Sequence, residues 1–194
     1  MTTNPASTSG RTWAVSGSGR AFYPDDPEPD VIDIEDIANA LARQCRYAGH
    51  LRFDWPEAVY SVAQHSVLVY YAVRARTDSV EARRAAILHD APEAYVQDII
   101  GPLKPYLPDY RQLEGRWIDA VSQRFGVALN PLPPIVKEVD IRILLDEKQH
   151  VISPKSPLWG LEGIVTPLCI DIAPWTFTDA REQFLSICRQ EGLV

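Results

Sequence analysis

Apolar residues recur at three- and four-residue steps along most of the chain, which is the spacing of amphipathic helices. The first such segment, IDIEDIANALARQCRY, repeats apolar residues from Ile34 to Cys45 and is expected to stop near Gly49. A short helix is expected to begin at Pro92, because proline is tolerated in a first turn. The other predicted helices run from about Glu57 to Arg76, from about Ser79 to Asp90, from Tyr110 to Phe125, from Ile135 to about Val151 and from Thr178 to Gln190.

Proline, glycine and serine interrupt this helical pattern. AFYPDDPEPD and GPLKPYLPDY, residues 21–30 and 101–110, each hold three prolines in ten residues and are expected to be extended or looped. Residues 1–20 are rich in Ser, Thr and Gly and are expected to be flexible. The CIDI alternation at 169–172 predicts a strand. We therefore predict an all-α helical bundle in one domain, residues 21–194, with a small β-hairpin from the termini.

Charge and composition narrow the classes of partner. The formal net charge of −7 and a pI near 5.1 disfavour nucleic-acid polymers and anionic membrane surfaces, but leave room for a small anionic ligand beside local cations. No apolar run approaches the roughly 20 residues that span a bilayer, and the amino terminus lacks the apolar core of a signal peptide. A cytoplasmic location is expected. The three widely spaced cysteines fit buried, reduced thiols better than a disulfide framework or a CxxC metal site.

Four polar residues occupy positions where these helices should be apolar. His65 lies on the apolar stripe of its helix, and Asp140 has apolar residues four before it and three and four after it. His89 and Asp90 lie roughly 100° apart on one helix of mostly small apolar residues. Taken singly, each is more often a hydrogen-bonded core residue. Together, two imidazoles and two carboxylates suit a divalent transition metal, because a buried carboxylate without a cation costs several kcal/mol.

The same four residues resemble the H…HD…D pattern of the HD-domain metal-dependent phosphohydrolases. The strings VAQHSVLV, ILHDAPEAYVQDI, GPLK and VKEVD are especially similar to the bacterial 5′-deoxyribonucleotidase branch and to its phage deoxynucleoside-triphosphate hydrolase relatives. The resemblance covers roughly residues 33–150. It implies an HD-domain bundle that binds one divalent metal (Mn, Co, Zn or Fe) through His65, His89, Asp90 and Asp140.

Further positions carry over from the nucleotidase branch by their place in its motifs. Glu93, three residues after the HD aspartate, and Asp98, nine after the HD histidine, are the implied proton-transfer residues. Arg46 is an implied phosphate contact, and Lys104 of GPLK is a second. Tyr47 stands where the branch usually has tryptophan, which leaves the sugar and base preference open.

Departures from the motifs exclude some relatives. The HD-domain alarmone hydrolases have a second acid directly after the glutamate, whereas Glu93 is followed by Ala94. The dinuclear cyclic-nucleotide enzymes need extra histidines, and only His50 and His150 remain. The resemblance thus implies removal of phosphate from deoxyribonucleotides, with two alternatives: deoxynucleoside-triphosphate triphosphohydrolase and a non-catalytic metal-dependent nucleotide sensor. A small-molecule nucleotide is the implied substrate, and because dimers are common in this branch a homodimer stays open.

Overall fold

Seven α-helices and one small sheet form the regular structure of residues 12–55 and 59–194, the part of the chain that the computed structural model describes. The sheet pairs β1 (Ala14–Val15) antiparallel with β2 (Ala21–Phe22). Short 3-10 helices occupy Pro29–Val31, Arg46–Gly49 and Gly101–Tyr106. The prediction of an all-α fold with a small hairpin is confirmed. The helices are α1 (Ile34–Leu41), α2 (Val62–Arg74), α3 (Val80–Leu88), α4 (Glu93–Val96), α5 (Pro108–Phe125), α6 (Pro134–His150) and α7 (Phe177–Gln190).

The first helix is shorter than the apolar pattern predicted. It ends at Leu41, and the backbone beyond it turns to the segment that leads into α2: Arg46 N donates to Tyr60 O at 2.9 Å, and Val62 N donates to Gln44 O at 3.0 Å. Those long-range hydrogen bonds replace the helical ones, so tertiary pairing overrides the local helical periodicity. The predicted end near Gly49 was wrong.

The loop and strand predictions also need correction. Residues 101–110 are not one loop, because they contain the 3-10 helix and the first turn of α5, which Pro108 opens. Residues 169–172 carry no strand, and both strands of the hairpin lie in the amino-terminal segment. The predicted flexible segment, residues 1–20, lies outside the described residues up to position 11, and its described part contains β1. The expected helix start at Glu57 also lies outside the described residues.

Helix α2 is the centre of the bundle. Ten of its 13 residues are buried, and it packs against α3, α6 and α7. Its amino end is capped by Ser61, whose side chain accepts a hydrogen bond from Gln64 N at 3.1 Å. Its burial on nearly every side explains why its apolar stripe is broad and why a polar residue on it faces the interior. Among the described residues, no helix has both the length and the apolar character of a membrane span.

Aromatic side chains join the amino-terminal hairpin to α5. The fully buried Trp117 ring stacks on Tyr95 with centroids 4.2 Å apart, and Phe22 meets both rings edge-on at 5.2 and 5.6 Å. The Trp117 indole N–H donates to Pro24 O at 3.0 Å, so its one polar atom is satisfied within the core. The hairpin is therefore held against the bundle by burial of aromatic area.

The segment after α6 is fixed by a buried carboxylate. Asp146, 2 % exposed, accepts hydrogen bonds from Leu168 N at 2.7 Å and Ile170 N at 2.9 Å. These are backbone donors that a partner strand would otherwise take, which explains why CIDI does not pair as a strand. The side chain of α6 thus sets the path of the chain that closes one side of the site described below.

Replacing Asp146 by alanine removes both acceptors, and we expect the free energy of unfolding to fall by about 2–4 kcal/mol, since each unsatisfied buried donor costs about 1–3 kcal/mol. Urea unfolding followed by circular dichroism measures this. Asp171→Ala is the matched control, because the Asp171 side chain is 95 % exposed and its loss should change stability by less than about 0.5 kcal/mol. Equal small effects in both variants would contradict the proposed role.

Candidate metal centre and substrate cleft

Three predicted metal ligands converge from separate parts of the bundle. His65 lies on α2, His89 directly after α3, and Asp140 on α6. His65 Nε2 is 3.3 Å from His89 Nε2 and 3.1 Å from Asp140 Oδ1, and His89 Nε2 is 3.8 Å from the same oxygen. The three ligand atoms all lie within 4.8 Å of one another, so this group could hold a metal ion.

Asp90, the fourth predicted ligand, stands beside this group. Its Oδ2 is 3.4 Å from His89 Nε2 and 3.6 Å from His65 Nε2. The same oxygen lies 3.5 Å from Arg46 Nη1, so the carboxylate faces both the imidazoles and a cation. Its role as a ligand stays a prediction.

Both histidines are oriented by their other ring nitrogen. His65 Nδ1 lies 2.6 Å from Glu147 Oε1, and His89 Nδ1 lies 2.8 Å from the carbonyl oxygen of Ala86. Because a carbonyl and an ionised carboxylate only accept, each Nδ1 donates its hydrogen there, which turns the Nε2 edge of each ring toward the centre, where it could bind a metal. Ligands bonded to one ion at about 2.0–2.2 Å stand roughly 3–3.5 Å apart, close to the separations here. The donor set therefore fits a divalent transition metal.

Glu147, which the sequence reasoning did not select, binds four polar side chains beneath this group. It is fully buried on α6. Its Oε1 accepts from His65 and from the Tyr60 hydroxyl at 2.7 Å, and its Oε2 accepts from the Tyr47 hydroxyl and from Arg46 Nη2 at 3.3 Å. The signal was its spacing: Glu147 follows Asp140 by seven residues, two helical turns, on the same face.

The electrostatics of this cluster favour a bound cation. Burial and the Arg46 charge lower the pKa of His65, but Glu147 and Asp140 outweigh them and raise it to about 9. Burial raises the pKa of Glu147, yet Arg46 and His65 lower it to about 2. Burial is likewise outweighed at Asp140, whose pKa lies below its usual range because of the hydrogen bond from His65. Two ionised carboxylates thus face one imidazole, which binds an extra proton where a metal would supply the positive charge.

A cleft of about 870 Å³ opens over the centre, and every predicted catalytic and substrate residue lines it. The lining is partly polar and partly apolar. Its charged and histidine members are Arg46, His50, Asp90, Glu93, Asp98, Lys104 and Asp140. Its apolar and aromatic members include Tyr47, Leu144, Ile152, Trp159 and Leu161, of which the last three follow α6 and were not predicted. That segment has no helical or strand periodicity, so nothing in its sequence pattern indicated a place in the cleft.

Glu93 and Asp98 are carboxyl groups with raised pKa values. Glu93 is 7 % exposed, and among the described residues its Oε2 has no hydrogen-bond partner. Burial, followed by repulsion from Asp90, raises the pKa of Glu93 well above its usual range. Burial also raises the pKa of Asp98, and the Asp90 charge adds to it. A raised pKa is typical of carboxyl groups that transfer protons.

The cations of the cleft are paired with carboxylates. Lys104 Nζ lies 2.7 Å from Glu114 Oε1 and 4.0 Å from Glu93 Oε1. Arg46 has one terminal nitrogen on Asp90 and the other on Glu147. A planar guanidinium fixed in this way presents its positive charge to the cleft in one orientation.

The two remaining histidines lie outside the metal group. His50 lines the cleft, and His150 Nδ1 lies 3.4 Å from Asp171 Oδ1 on the surface. Neither contributes an atom to the group of three.

Comparison with known proteins identifies relatives of this chain. No family model matches it. An uncharacterized protein of Rhodobacter capsulatus is 40 % identical over 127 residues, which is 63 % of this chain and 63 % of that protein. The uncharacterized protein YfdR of Escherichia coli K12 is 38 % identical over 162 residues, which covers 81 % of this chain and 83 % of YfdR. At that identity and coverage, the chain belongs to the same family as YfdR.

Proposed function

We propose that this protein is a divalent-metal-dependent phosphohydrolase that removes the phosphate from 5′-deoxyribonucleotides. The observation that carries the proposal is one cleft in which a group that could hold a metal, an oriented arginine and a buried carboxyl with a raised pKa meet. His65, His89 and Asp140, with Asp90 beside them, would hold the metal, which when bound supplies Lewis acidity for the attack of water on phosphorus.

The residues around the ligands have distinct tasks in this reaction. Arg46 binds the phosphate and neutralises charge that grows on its oxygens as the ester bond breaks. Glu93 holds a proton on a carboxyl group that burial keeps neutral, and it transfers that proton to the leaving oxygen. The fixed orientation of both groups reduces the entropy lost on reaching the transition state.

The charge of the cleft favours a monophosphate over a triphosphate. Its described lining includes two cationic side chains, Arg46 and Lys104, against four carboxyl groups. Both cations are already paired with carboxylates, so the more highly charged triphosphate would be neutralised less completely than a monophosphate, and we expect orthophosphate as the product. Release of tripolyphosphate from triphosphates would instead support the triphosphohydrolase alternative.

Purified protein should release orthophosphate from deoxyribonucleoside monophosphates when supplied with Mn, Co, Zn or Fe, as measured by separating the products.

His89→Ala should abolish stoichiometric metal binding and lower turnover by at least about 1,000-fold, because the ligand group loses one of three members. His150→Ala is the matched control and should retain both properties. If the metal-loaded protein binds deoxynucleotides tightly but releases no phosphate with any of these ions, the protein is a sensor.

Glu93→Gln should lower turnover by roughly 100-fold or more, as expected for loss of proton transfer, and Asp98→Asn by less. A much larger loss in Asp98→Asn would reverse the two roles.

The Glu93→Gln variant should also differ from wild type in stability. The folded protein keeps a proton on Glu93 at pH values where the unfolded chain, with the ordinary glutamate pKa, has released it. Stability therefore falls as pH rises above that value. Glu93→Gln removes this cost, so the metal-free variant should be more stable than wild type at pH 7 and equally stable below about pH 4.

Glu147→Gln should weaken metal binding by roughly 10- to 100-fold, because an amide has one acceptor oxygen and meets His65 or Arg46 with its own donors. Competition with a chelator of known affinity measures this. Glu191→Gln is the matched control: Glu191 is also buried and accepts from Tyr70 and Arg83, but it lies outside the cleft. It should lose stability and keep its metal affinity, and equal metal affinity in both variants would contradict the role of Glu147.

A further inference from the structure

We infer that Trp159 and Tyr47 form a stacking surface for the aromatic base of the substrate, an inference that rests on the proposed function. The two rings line the cleft, with centroids 5.7 Å apart and planes tilted by 44°. They do not stack on each other, and both are only partly buried. Each therefore offers ring surface to the cleft.

The Tyr47 ring lies next to Arg46, the residue proposed to bind the phosphate. Arg46 and Tyr47 are neighbours in sequence, and the Arg46 guanidinium carbon lies 5.6 Å from the Tyr47 ring centre. Leu144, one turn of α6 after Asp140, also lines the cleft. A ligand with a phosphate at Arg46 thus has its other end against apolar side chains, and a sugar phosphate alone would leave that surface in contact with water.

Polar contacts hold Trp159 in place, and Lys148 Nζ lies over its ring at 5.9 Å from the ring centre. Its backbone N–H donates to both carboxylate oxygens of Glu162, at 3.0 and 3.1 Å, and Glu162 pairs with Lys148 of α6. Its indole N–H donates to Ser156 Oγ at 3.1 Å. Because that donor is already used, the ring contributes stacking rather than a hydrogen bond.

Stacking on an aromatic ring is tolerant of base identity, since every base has a π face. We therefore expect the protein to prefer nucleotides over phosphate esters without a base, and to discriminate weakly between bases. Trp159 acts here as a specificity-determining residue that touches the base and takes no part in the reaction.

Calorimetric titration of the metal-free protein, which separates binding from turnover, tests this with deoxyguanosine 5′-monophosphate and deoxyribose 5-phosphate. Wild type should bind the nucleotide at least about ten-fold more tightly than the sugar phosphate. Trp159→Ala should reduce this ratio by about ten-fold with little change for the sugar phosphate, and Trp159→Phe should restore most of it. Leu158→Ala is the control, because Leu158 is 78 % exposed in the same loop and does not line the cleft.

The other possible results of these titrations show which of the two proposals is wrong. Equal binding of the two compounds to wild type would overturn the stacking surface and leave the phosphohydrolase proposal standing. An equal loss for both compounds in Trp159→Ala, with normal behaviour of Leu158→Ala, would show that Trp159 supports the loop and does not bind the base. If wild type binds neither compound and hydrolyses neither with metal added, the proposed function fails and the base site fails with it.

Discussion

The buried carboxylate of Glu147 is the interaction on which the site depends. Removing an ionised carboxylate from water costs several kcal/mol, and only excellent hydrogen bonding can offset that loss. Glu147 has this from His65, Tyr60, Tyr47 and Arg46. The four donors compensate the buried charge of Glu147, and that charge in turn fixes the orientation of the donors. His65 and Arg46, the proposed metal ligand and the proposed phosphate contact, are thereby oriented by one buried group.

Helix α6 carries Glu147 and several other residues that line or support the cleft. Asp140 supplies a ligand oxygen, Leu144 an apolar contact one turn later, and Glu147 the buried carboxylate. Lys148 then pairs with Glu162, which holds Trp159 beside Tyr47. Since an α-helix keeps residues three, four and seven apart on one face, a single rigid element sets the relative position of the ligand group and the aromatic side. That rigidity suits chemistry that needs fixed distances between reacting groups.

The sequence predicted the helices well because burial of an apolar stripe imposes a period that can be read directly. It brought together His65, His89 and Asp140, which could hold a metal ion, because polar residues on apolar faces are costly without a common partner. The features that the sequence did not predict depend on contacts between distant segments. The end of α1 depends on backbone bonds between Gln44 and Val62 and between Arg46 and Tyr60. The position of Trp159 depends on an ion pair between α6 and an irregular loop. Contacts between distant segments leave no local periodicity, so pattern reading could not find them.

Several energetically unfavourable features, unpaired buried polar atoms and positive φ angles, lie around the cleft. Among the described residues, Arg46 Nε and Glu93 Oε2 are two of the four buried side-chain polar atoms without a hydrogen-bond partner. Tyr47 and Gln97, two of the four non-glycine residues there with positive φ, lie in or next to the cleft lining. A bundle that evolved for stability alone would remove such features, because each costs about 1–3 kcal/mol. Their position beside the group that could hold a metal fits a face of the bundle shaped for binding rather than for stability alone.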